Sequence, residues 1–354
     1  ADEPREPPAR ADEVARPRYF YKGYDYGSQS LYNPLYLFVN RGFDVLQLRP
    51  HRRRIWDYDY VANGGNVLDN VRDPFGAIGY QGWGKFVKEE ILPVGWTTQS
   101  ARWAPNYGLH LIGGGQSFAM LQEWFDANDV PRPVGVVASA ATLMLAGFVN
   151  ESLENDDVKG VNTDCLADLY VFDVAGMLLF SIEPVRMFFS RYVTFVDWSL
   201  QPSITAPRGD LHNVGSYYAL KVPVPFVPRL RLFGYEGFSS LGGLSYKIGD
   251  EYSVSLAAGG KISRFENSAA NVVLNTVAAK PAAALFVDRN DSLVASVAVA
   301  DVPDYFVHVN VYPNSFLLPG LGVGLWSVIA RDGRYQIGLS YTKALGLGVG
   351  GGTL

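Results

Sequence analysis

The densest group of residues able to do chemistry lies in the middle of the chain. Glu151 and Glu154 end one apolar stretch, and Asp164 and Asp168 open the next. Spacings of three and four residues place each pair on one face of a helix, and a short connection between two helices would bring the pairs together. His110 could join them, so these five residues form the predicted site.

Such a group could support general acid–base catalysis or the binding of a divalent metal. The structural alternative is that the carboxylates cap helices and accept hydrogen bonds from the backbone and from Asn side chains. Burying a carboxylate beside apolar helices costs free energy unless it is paired or ligated, which favours a function. A solvated loop beginning at Glu154 would remove this cost, and we favour the structural alternative. Because the sequence shows no recognised catalytic motif, we assign no metal ligand and no cofactor-binding residue. We leave the cofactor unknown and favour a protein that is not an enzyme.

Two neighbouring features have simpler interpretations. Cys165 is the only cysteine and lies within an apolar helix pattern, so we predict a buried thiol and no intrachain disulfide. The run Gly113-Gly114-Gly115 lacks the Lys-Ser/Thr pair that follows a phosphate-binding loop. It therefore predicts a turn or a close backbone contact.

Helix signals surround the predicted site. Asp73 followed by Pro74 begins a first helix, because Asp caps the N-terminus and Pro fits the first helical position. Further helices are predicted over 117–126, 134–149 and 164–181. The apolar run over 134–149 is shorter than the roughly 20 residues of a membrane-spanning helix, so we expect it to pack within the protein.

From about residue 190 the pattern changes to the period of two that is typical of β-strands. The stretch from Tyr335 to Tyr341 places Tyr, Ile and Leu on one face and Gln, Gly and Ser on the other. Large apolar residues opposite small polar ones are typical of strands that face lipid outside and a filled interior. About ten strands are expected, over 192–200, 215–224, 230–235, 243–248, 252–258, 283–288, 293–299, 306–312, 323–330 and 335–342.

These elements predict a mainly β fold with a helical insertion. An antiparallel transmembrane β-barrel of about 8–12 strands would carry an α-helical plug or periplasmic cap. The expected organisation is an extended or disordered tail over 1–18, an aromatic-rich irregular segment over 19–69, a helical plug or cap over 70–190, the barrel over 191–345 and a glycine-rich tail over 346–354.

The composition agrees with this architecture. Charged residues make up 18% and aromatic residues 14% of the chain, and the net charge is −5. A low charged fraction suits a lipid-facing surface, and a negative net charge argues against a nucleic-acid partner. The first residues, Ala1-Asp2-Glu3, suit a mature end left after removal of a signal peptide.

The C-terminal half resembles bacterial outer-membrane β-barrels. The middle region resembles more specifically an uncharacterised outer-membrane family that is defined only by a domain of unknown function. The residues that carry this resemblance are Asn106-Tyr107-Gly108-Leu109-His110, Asn150-Glu151 to Glu154, and Asn162-Thr163-Asp164 with Asp168. The resemblance implies a location in the bacterial outer membrane and no particular activity.

Three functions follow from this sequence as hypotheses. The favoured one is a structural or anchoring role in an envelope assembly, with membrane lipid and other envelope proteins as partners. The alternative is an outer-membrane enzyme that acts on lipid or another envelope substrate through His110, Glu151, Glu154, Asp164 and Asp168. A narrow solute channel is disfavoured by the small residues of the inner face.

Overall fold

Helices occupy the first half of the chain and strands the second. The computed structural model describes residues 16–49, 51–93, 104–154, 160–267, 275–342 and 345–354. The fold is a mixture of helices with one large sheet, so a mainly β fold with helices is confirmed at that level. Most of the predicted tail over 1–18 lies outside the described residues.

The α-helices all precede the first strand. They are α1 Pro34–Gly42, α2 Tyr60–Arg72, α3 Pro74–Gln81, α4 Trp83–Phe86, α5 Gly115–Ala127, α6 Arg132–Glu154, α7 Asp164–Leu166, α8 Asp173–Ser181 and α9 Glu183–Met187. Wider π-helical turns cover Val87–Ile91, Ala104–Gly114, Ala167–Phe172 and Phe188–Tyr192. Short 3₁₀ turns cover Ser28–Leu31, Asp44–Leu48, Ile55–Asp57 and Pro303–Tyr305. We refer to residues 28–192 as the helical region.

Local capping explains where several helices begin. The side chain of Asp73 accepts a hydrogen bond from the Gly76 N–H, and Pro74 takes the first helical position, as predicted. Asn33 caps α1 in the same way, also with a proline next to it. The segment predicted to be irregular over 19–69 therefore contains α1 and most of α2.

Helix α6 is longer than the apolar run that predicts it. It has 23 residues and is long and apolar enough to cross a membrane, although only 28% of its most apolar window is buried. The bent pair of helical segments Asp164–Ser181 and Glu183–Tyr192 would also meet this length and hydropathy criterion if the two were counted as one span. Because core helices of soluble proteins meet the same criterion, this is a weak indication of a span.

Within the described residues the sheet has thirteen strands. They are β1 Phe195–Asp197, β2 Ser203–Thr205, β3 Asp210–His212, β4 Tyr218–Pro223, β5 Leu230–Glu236, β6 Ser239–Ile248, β7 Tyr252–Asn267, β8 Asn275–Arg289, β9 Ser292–Ala300, β10 Val307–Val311, β11 Val323–Ile329, β12 Tyr335–Tyr341 and β13 Gly348–Gly352. Each of the ten strands predicted from the alternation overlaps one of these.

The strand count exceeds the predicted 8–12 because the sequence analysis missed β2, β3 and β13. The first two have only three residues each, and β13 has four glycines among five residues and so no alternation to read. The predicted glycine-rich tail over 346–354 thus contains a strand.

The order of the sheet is β1-β4-β5-β6-β7-β8-β9-β10-β11-β12-β13-β2-β3. From β4 to β13 each strand pairs antiparallel with the next along the chain. The last of these, β13, pairs in parallel with β2 through Gly348–Ser203 and Val349–Ile204. One short segment, 195–205, therefore supplies strands near both ends of the order.

The two faces of the sheet differ sharply. On β12, Tyr335, Ile337, Leu339 and Tyr341 are each 45–48% exposed, whereas the three residues between them are buried. The same alternation occurs on β6, where Leu244, Tyr246 and Ile248 are exposed and Ser245 is buried. The uncovered face is therefore apolar, and we call it the outer face.

Aromatic side chains fill much of the buried, inner face. The Trp198 ring lies 5.7 Å from the rings of Phe233 and Phe286, and Tyr217 stacks on Tyr235 at 4.9 Å. All five residues are buried and belong to one hydrophobic cluster. These contacts provide the main packing of the strand half of the chain.

The helical region covers the outer face of the sheet at β1 and β4. Tyr218 of β4 is in register with Glu236 of β5, on the same face as the exposed residues of β6. Its hydroxyl lies 2.9 Å from Ser117 Oγ of α5, and its ring stacks on Phe195 at 5.3 Å. The helices therefore pack beside the strands here.

A buried carboxylate ties the N-terminal arm to the helices. Glu123 of α5 accepts hydrogen bonds from the backbone N–H groups of Tyr19, Phe20 and Tyr21 at 2.9, 2.7 and 2.8 Å. Burial raises the pKa of Glu123, while these three bonds and Lys22 act in the opposite direction. Residues 19–21 are thus attached to α5 through their backbone N–H groups. Such a contact does not depend on the side chains of these residues, so the sequence pattern could not predict it.

Candidate functional site

The predicted site residues converge in the helical region. His110 lies on the π-helical segment Ala104–Gly114, and Asp168 lies on the segment Ala167–Phe172. The distance from His110 Nε2 to Asp168 Oδ2 is 3.5 Å. The other ring nitrogen, Nδ1, lies 3.1 Å from Oδ1 of Asp173, the first residue of α8.

Arg41 of α1 completes the centre of this cluster. Its Nη2 lies 2.5 Å from Asp173 Oδ1 and 3.3 Å from His110 Nδ1. The Asp173 side chain is fully buried and that of Arg41 is 7% exposed. No local pattern marks Arg41, because it meets Asp173 across 132 positions of sequence.

Glu151, Glu154 and Asp164 lie on the other side of Asp168. The buried Glu151 of α6 shares a side-chain hydrogen bond with Asp168. Glu154 and Asp164 are close enough for their charges to raise the pKa of both Glu151 and Asp168. The structure thus brings all five predicted residues into one group. These five residues, with Arg41 and Asp173, form what we call the Arg41–Glu151 cluster.

Two glycines allow the helices that carry the cluster to approach. A Cβ on Gly176 of α8 would overlap the Leu111 carbonyl oxygen, and a Cβ on Gly115 would overlap Phe180 and the Gly176 backbone. In the same run, Gly113 packs directly against the Tyr218 ring. Of the two interpretations of the Gly113–Gly115 run, close backbone contact is the one observed.

The pKa values of the two central aspartates are shifted in opposite directions. Burial acts to raise the pKa of Asp173, but Arg41 and His110 outweigh it, so that this pKa is lowered. Burial raises the pKa of Asp168 well above its usual range, and the charges of Asp164 and Glu151 add to the shift. The pKa of Glu151 is likewise raised well above normal, first by burial and then by Glu154. The ion pair with Arg41 therefore favours the charged form of Asp173, whereas burial favours the neutral forms of Asp168 and Glu151.

This arrangement contains the groups that an acid–base pair uses, an imidazole between two carboxyls. Asp173 Oδ1 and Asp168 Oδ2 lie beside the two ring nitrogens of His110, and Arg41 Nη2 contacts both Asp173 and His110 Nδ1, so these contacts fix the orientation of the ring. Asp168 Oδ1 and Asp173 Oδ2 are buried and have no hydrogen-bond partner in the part of the chain that the structure describes. Among those same residues, no group of three or more His, Cys, Asp or Glu could hold a metal ion.

Cys165 lies beside the cluster and is buried, as predicted. Burial raises the pKa of its thiol, and the charges of Glu151 and Asp164 add to the effect. A thiol with a raised pKa is a poor nucleophile. Cys165 is therefore a packing residue and not part of the acid–base pair.

The pKa shifts predict a pH-dependent stability for the helical region. The pKa values of Asp168 and Glu151 are raised in the folded state, so their contribution is fully present below the ordinary carboxyl range and is lost as the pH rises through the raised values. We expect the free energy of unfolding, measured by far-UV circular dichroism, to fall as the pH rises above the ordinary carboxyl range. Asp168→Asn should flatten this slope, and an unchanged slope would contradict the raised pKa of Asp168.

Comparisons with known proteins gave no relative. No protein-family model matches the chain, and no curated protein or solved structure matches it significantly. The resemblance to an outer-membrane family therefore stays a prediction.

Proposed function

We propose that this protein is an outer-membrane β-barrel with a filled interior that anchors its helical region in an envelope assembly. The observation that supports the proposal most directly is the alternation on β12, where Tyr335, Ile337, Leu339 and Tyr341 are uncovered and Gln336, Gly338 and Ser340 are buried. A water-soluble sheet places its apolar residues inward. The inverted pattern suits a face that meets lipid.

The energetics favour a cover for this face. Leaving a large apolar side chain in water forgoes about 1.5–3 kcal/mol, and monomeric soluble proteins seldom expose large contiguous apolar patches. Exposed large apolar residues recur from β5 to β13, including Leu232, Leu256, Leu285, Val297 and Val349. Hydrocarbon would cover all of these strands at once.

Closure of the sheet into a barrel is supported by the segment 195–205. Its first part pairs with β4 and its last part pairs with β13. Between them, the Trp198 and Leu200 N–H groups donate to the carbonyls of Tyr217 and Gly215, which continues the pairing with the chain leading into β4. Because β1 is antiparallel to β4 and β2 is parallel to β13, both parts of the segment 195–205 run in the same direction. A single continuous strand over this segment would therefore close the sheet into a barrel.

The filled interior supports an anchor over a channel. The aromatic cluster around Trp198 and Phe286 occupies the inner face together with Tyr312 and Trp326, which are fully buried. A water-filled pore needs a polar, open lumen. Exposed apolar residues in the helical region, such as Val61, Phe75 and Tyr80, would contact envelope partners.

Membrane extraction tests the proposal. We expect the full-length protein to stay with the membrane fraction after washing with urea and high-pH carbonate, and to dissolve only with detergent. Its migration on SDS gels should change on boiling, as a folded barrel resists SDS. A full-length protein that is soluble and monomeric without detergent would overturn both the location and the anchoring role.

A second candidate function is an enzyme acting on membrane lipid or another envelope substrate. The observation that favours it is His110 between two aspartates whose pKa values are shifted in opposite directions, which suits a general base beside a general acid. Native-membrane lipids incubated with the purified protein should then yield new products. His110→Gln should abolish them, while Asp126→Asn, a substitution at an exposed position of α5, should not.

A further inference from the structure

The two ends of the sheet differ in chemistry. Each strand from β4 to β13 pairs antiparallel with the next, so successive turns alternate between the two ends. The turn over 224–229, which we call the β4–β5 turn, therefore lies at the opposite end from the turns over 301–306 and 330–334. Arg331 and Asp301 form an ion pair between those two turns. That end is charged and suits water.

The β4–β5 turn holds an apolar ring away from the protein. Phe226 is fully exposed, and its φ of 67° is in the left-handed region, which is unfavourable for a bulky side chain. The Val227 N–H donates a hydrogen bond to the carbonyl of Val224, which closes the turn around the ring. Pro225 and Pro228 restrict the backbone on either side. The turn itself therefore fixes the exposure of the ring.

Two further aromatic residues lie at the same end, where the helical region joins the sheet. The rings of Phe188 and Tyr192 stack with their centroids 6.2 Å apart, and both residues are exposed. The Lys221 N–H donates to the carbonyl of Val193, so the chain that follows Tyr192 lies beside the last residues of β4, just before the turn. We call Phe188, Tyr192 and Phe226 the aromatic patch.

The outer face of β5 is too short to cross a bilayer by itself. Its seven residues reach about 23 Å along the strand, or about 18 Å along the membrane normal at a tilt of about 40°, whereas the apolar band of a barrel is about 25 Å tall. This face also becomes polar at Glu236, the end of β5 away from the turn. The apolar surface formed by Leu230 and Leu232 therefore continues toward the β4–β5 turn.

The charged residues next to the aromatic patch in sequence are basic. Arg191 precedes Tyr192, Arg229 ends the β4–β5 turn, and both arginines are exposed. Such side chains at the boundary of a bilayer are attracted to the negative phosphates of lipid headgroups. The acidic turn over 249–251 lies at the same end of the sheet but between β6 and β7, so the patch is confined to the side where the helices pack.

We propose that the aromatic patch is inserted into the lipid bilayer, with the Phe226 ring among the acyl chains and Arg191 and Arg229 at the level of the phosphates. The turns of a spanning barrel ordinarily extend beyond the apolar band, so an embedded β4–β5 turn fixes the depth and the orientation of the sheet. The opposite end, with Arg331, then lies in water. This inference rests on the proposed contact of the outer face with lipid and adds a position along the membrane normal.

Site-directed labelling of the full-length protein in vesicles of phosphatidylcholine and phosphatidylglycerol tests the inference. Phe226→Cys, Leu339→Cys and Asp332→Cys variants would each carry an environment-sensitive dye such as NBD. At positions 226 and 339 the emission should be shifted to the blue, several-fold brighter and quenched by nitroxide-labelled lipid. At position 332 the dye should be quenched by aqueous iodide instead. Cys165 is buried, so the unaltered protein should take up no dye and serves as the blank.

The three positions separate the ways in which the inference can fail. Lipid quenching at 339 with iodide quenching at 226 would overturn the insertion of the aromatic patch and leave the proposed function intact. Iodide quenching at 339 would overturn the proposed function and this inference with it. Equal lipid quenching at 226 and 332 would overturn the orientation. Val227→Cys, at an exposed position of the same turn, repeats the measurement if Phe226→Cys does not fold.

Discussion

Replacing Asp173 by Asn is expected to lower the free energy of unfolding of the helical region by about 3–5 kcal/mol. The substitution keeps the shape of the side chain but removes the negative charge that balances Arg41, whose Nη2 lies 2.5 Å from it. A buried guanidinium without a counter-charge is costly, because burial has removed its water. Denaturant unfolding followed by far-UV circular dichroism measures the loss.

Two variants make this prediction sharp. Asp126→Asn changes the same chemical group at an exposed position of α5 and should change the free energy by less than about 0.5 kcal/mol. The double variant Arg41→Gln with Asp173→Asn should lose less than the two single losses added together, because the partners share one interaction. If Asp173→Asn unfolded at the same denaturant concentration as the unaltered protein, the ion pair would not hold the cluster together.

Replacing Leu339 by Arg is expected to destabilise the protein in a bilayer by about 2–4 kcal/mol, if the residue lies near the membrane midplane. Leu339 is 47% exposed on the outer face of β12, and its neighbours on that face are Ile337 and Tyr341. An arginine there would have to enter hydrocarbon or draw water and headgroups inward. Reversible folding into lipid vesicles, followed by tryptophan fluorescence, measures the difference.

A control substitution shows whether the outer face of the sheet contacts lipid or water. Val61→Arg introduces the same side chain at an 88% exposed position of α2, away from the sheet, and should fold into vesicles like the unaltered protein. On a water-facing sheet both substitutions would be tolerated, and Leu339→Arg would raise solubility. Equal folding of the two variants into vesicles would therefore contradict the membrane assignment.

The strands and the helix beginnings could be read from the sequence because their signals are local. Alternation along Tyr335–Tyr341 repeats every two residues within one strand, so that period alone shows that its large side chains share one face. Asp73 and Pro74 act within a single helical turn. Helical spacing also predicted that each pair of carboxylates shares one face, whereas it gave no position for His110.

Other parts depended on contacts between distant positions. Arg41 and Asp173 meet across 132 positions, and nothing near Arg41 in sequence marks it as the counter-ion. The short strand β2 pairs with the glycine-rich β13, neither of which has enough alternation to be recognised. The helices lie beside β1 and β4 in part because Ser117 contacts Tyr218. These two residues are far apart in the sequence, so no local pattern predicts their contact.

The sequence by itself therefore determined ten of the thirteen described strands, which residues share a face of each of these, and which acidic residues share a helical face. These properties follow from backbone geometry over a few neighbouring residues. Only the tertiary structure decided that Arg41 and Asp173 fix His110, and that the segment 195–205 pairs near both ends of the sheet order. Those arrangements arise when distant parts of the chain exclude water from one another, and no short-range period records which parts will meet.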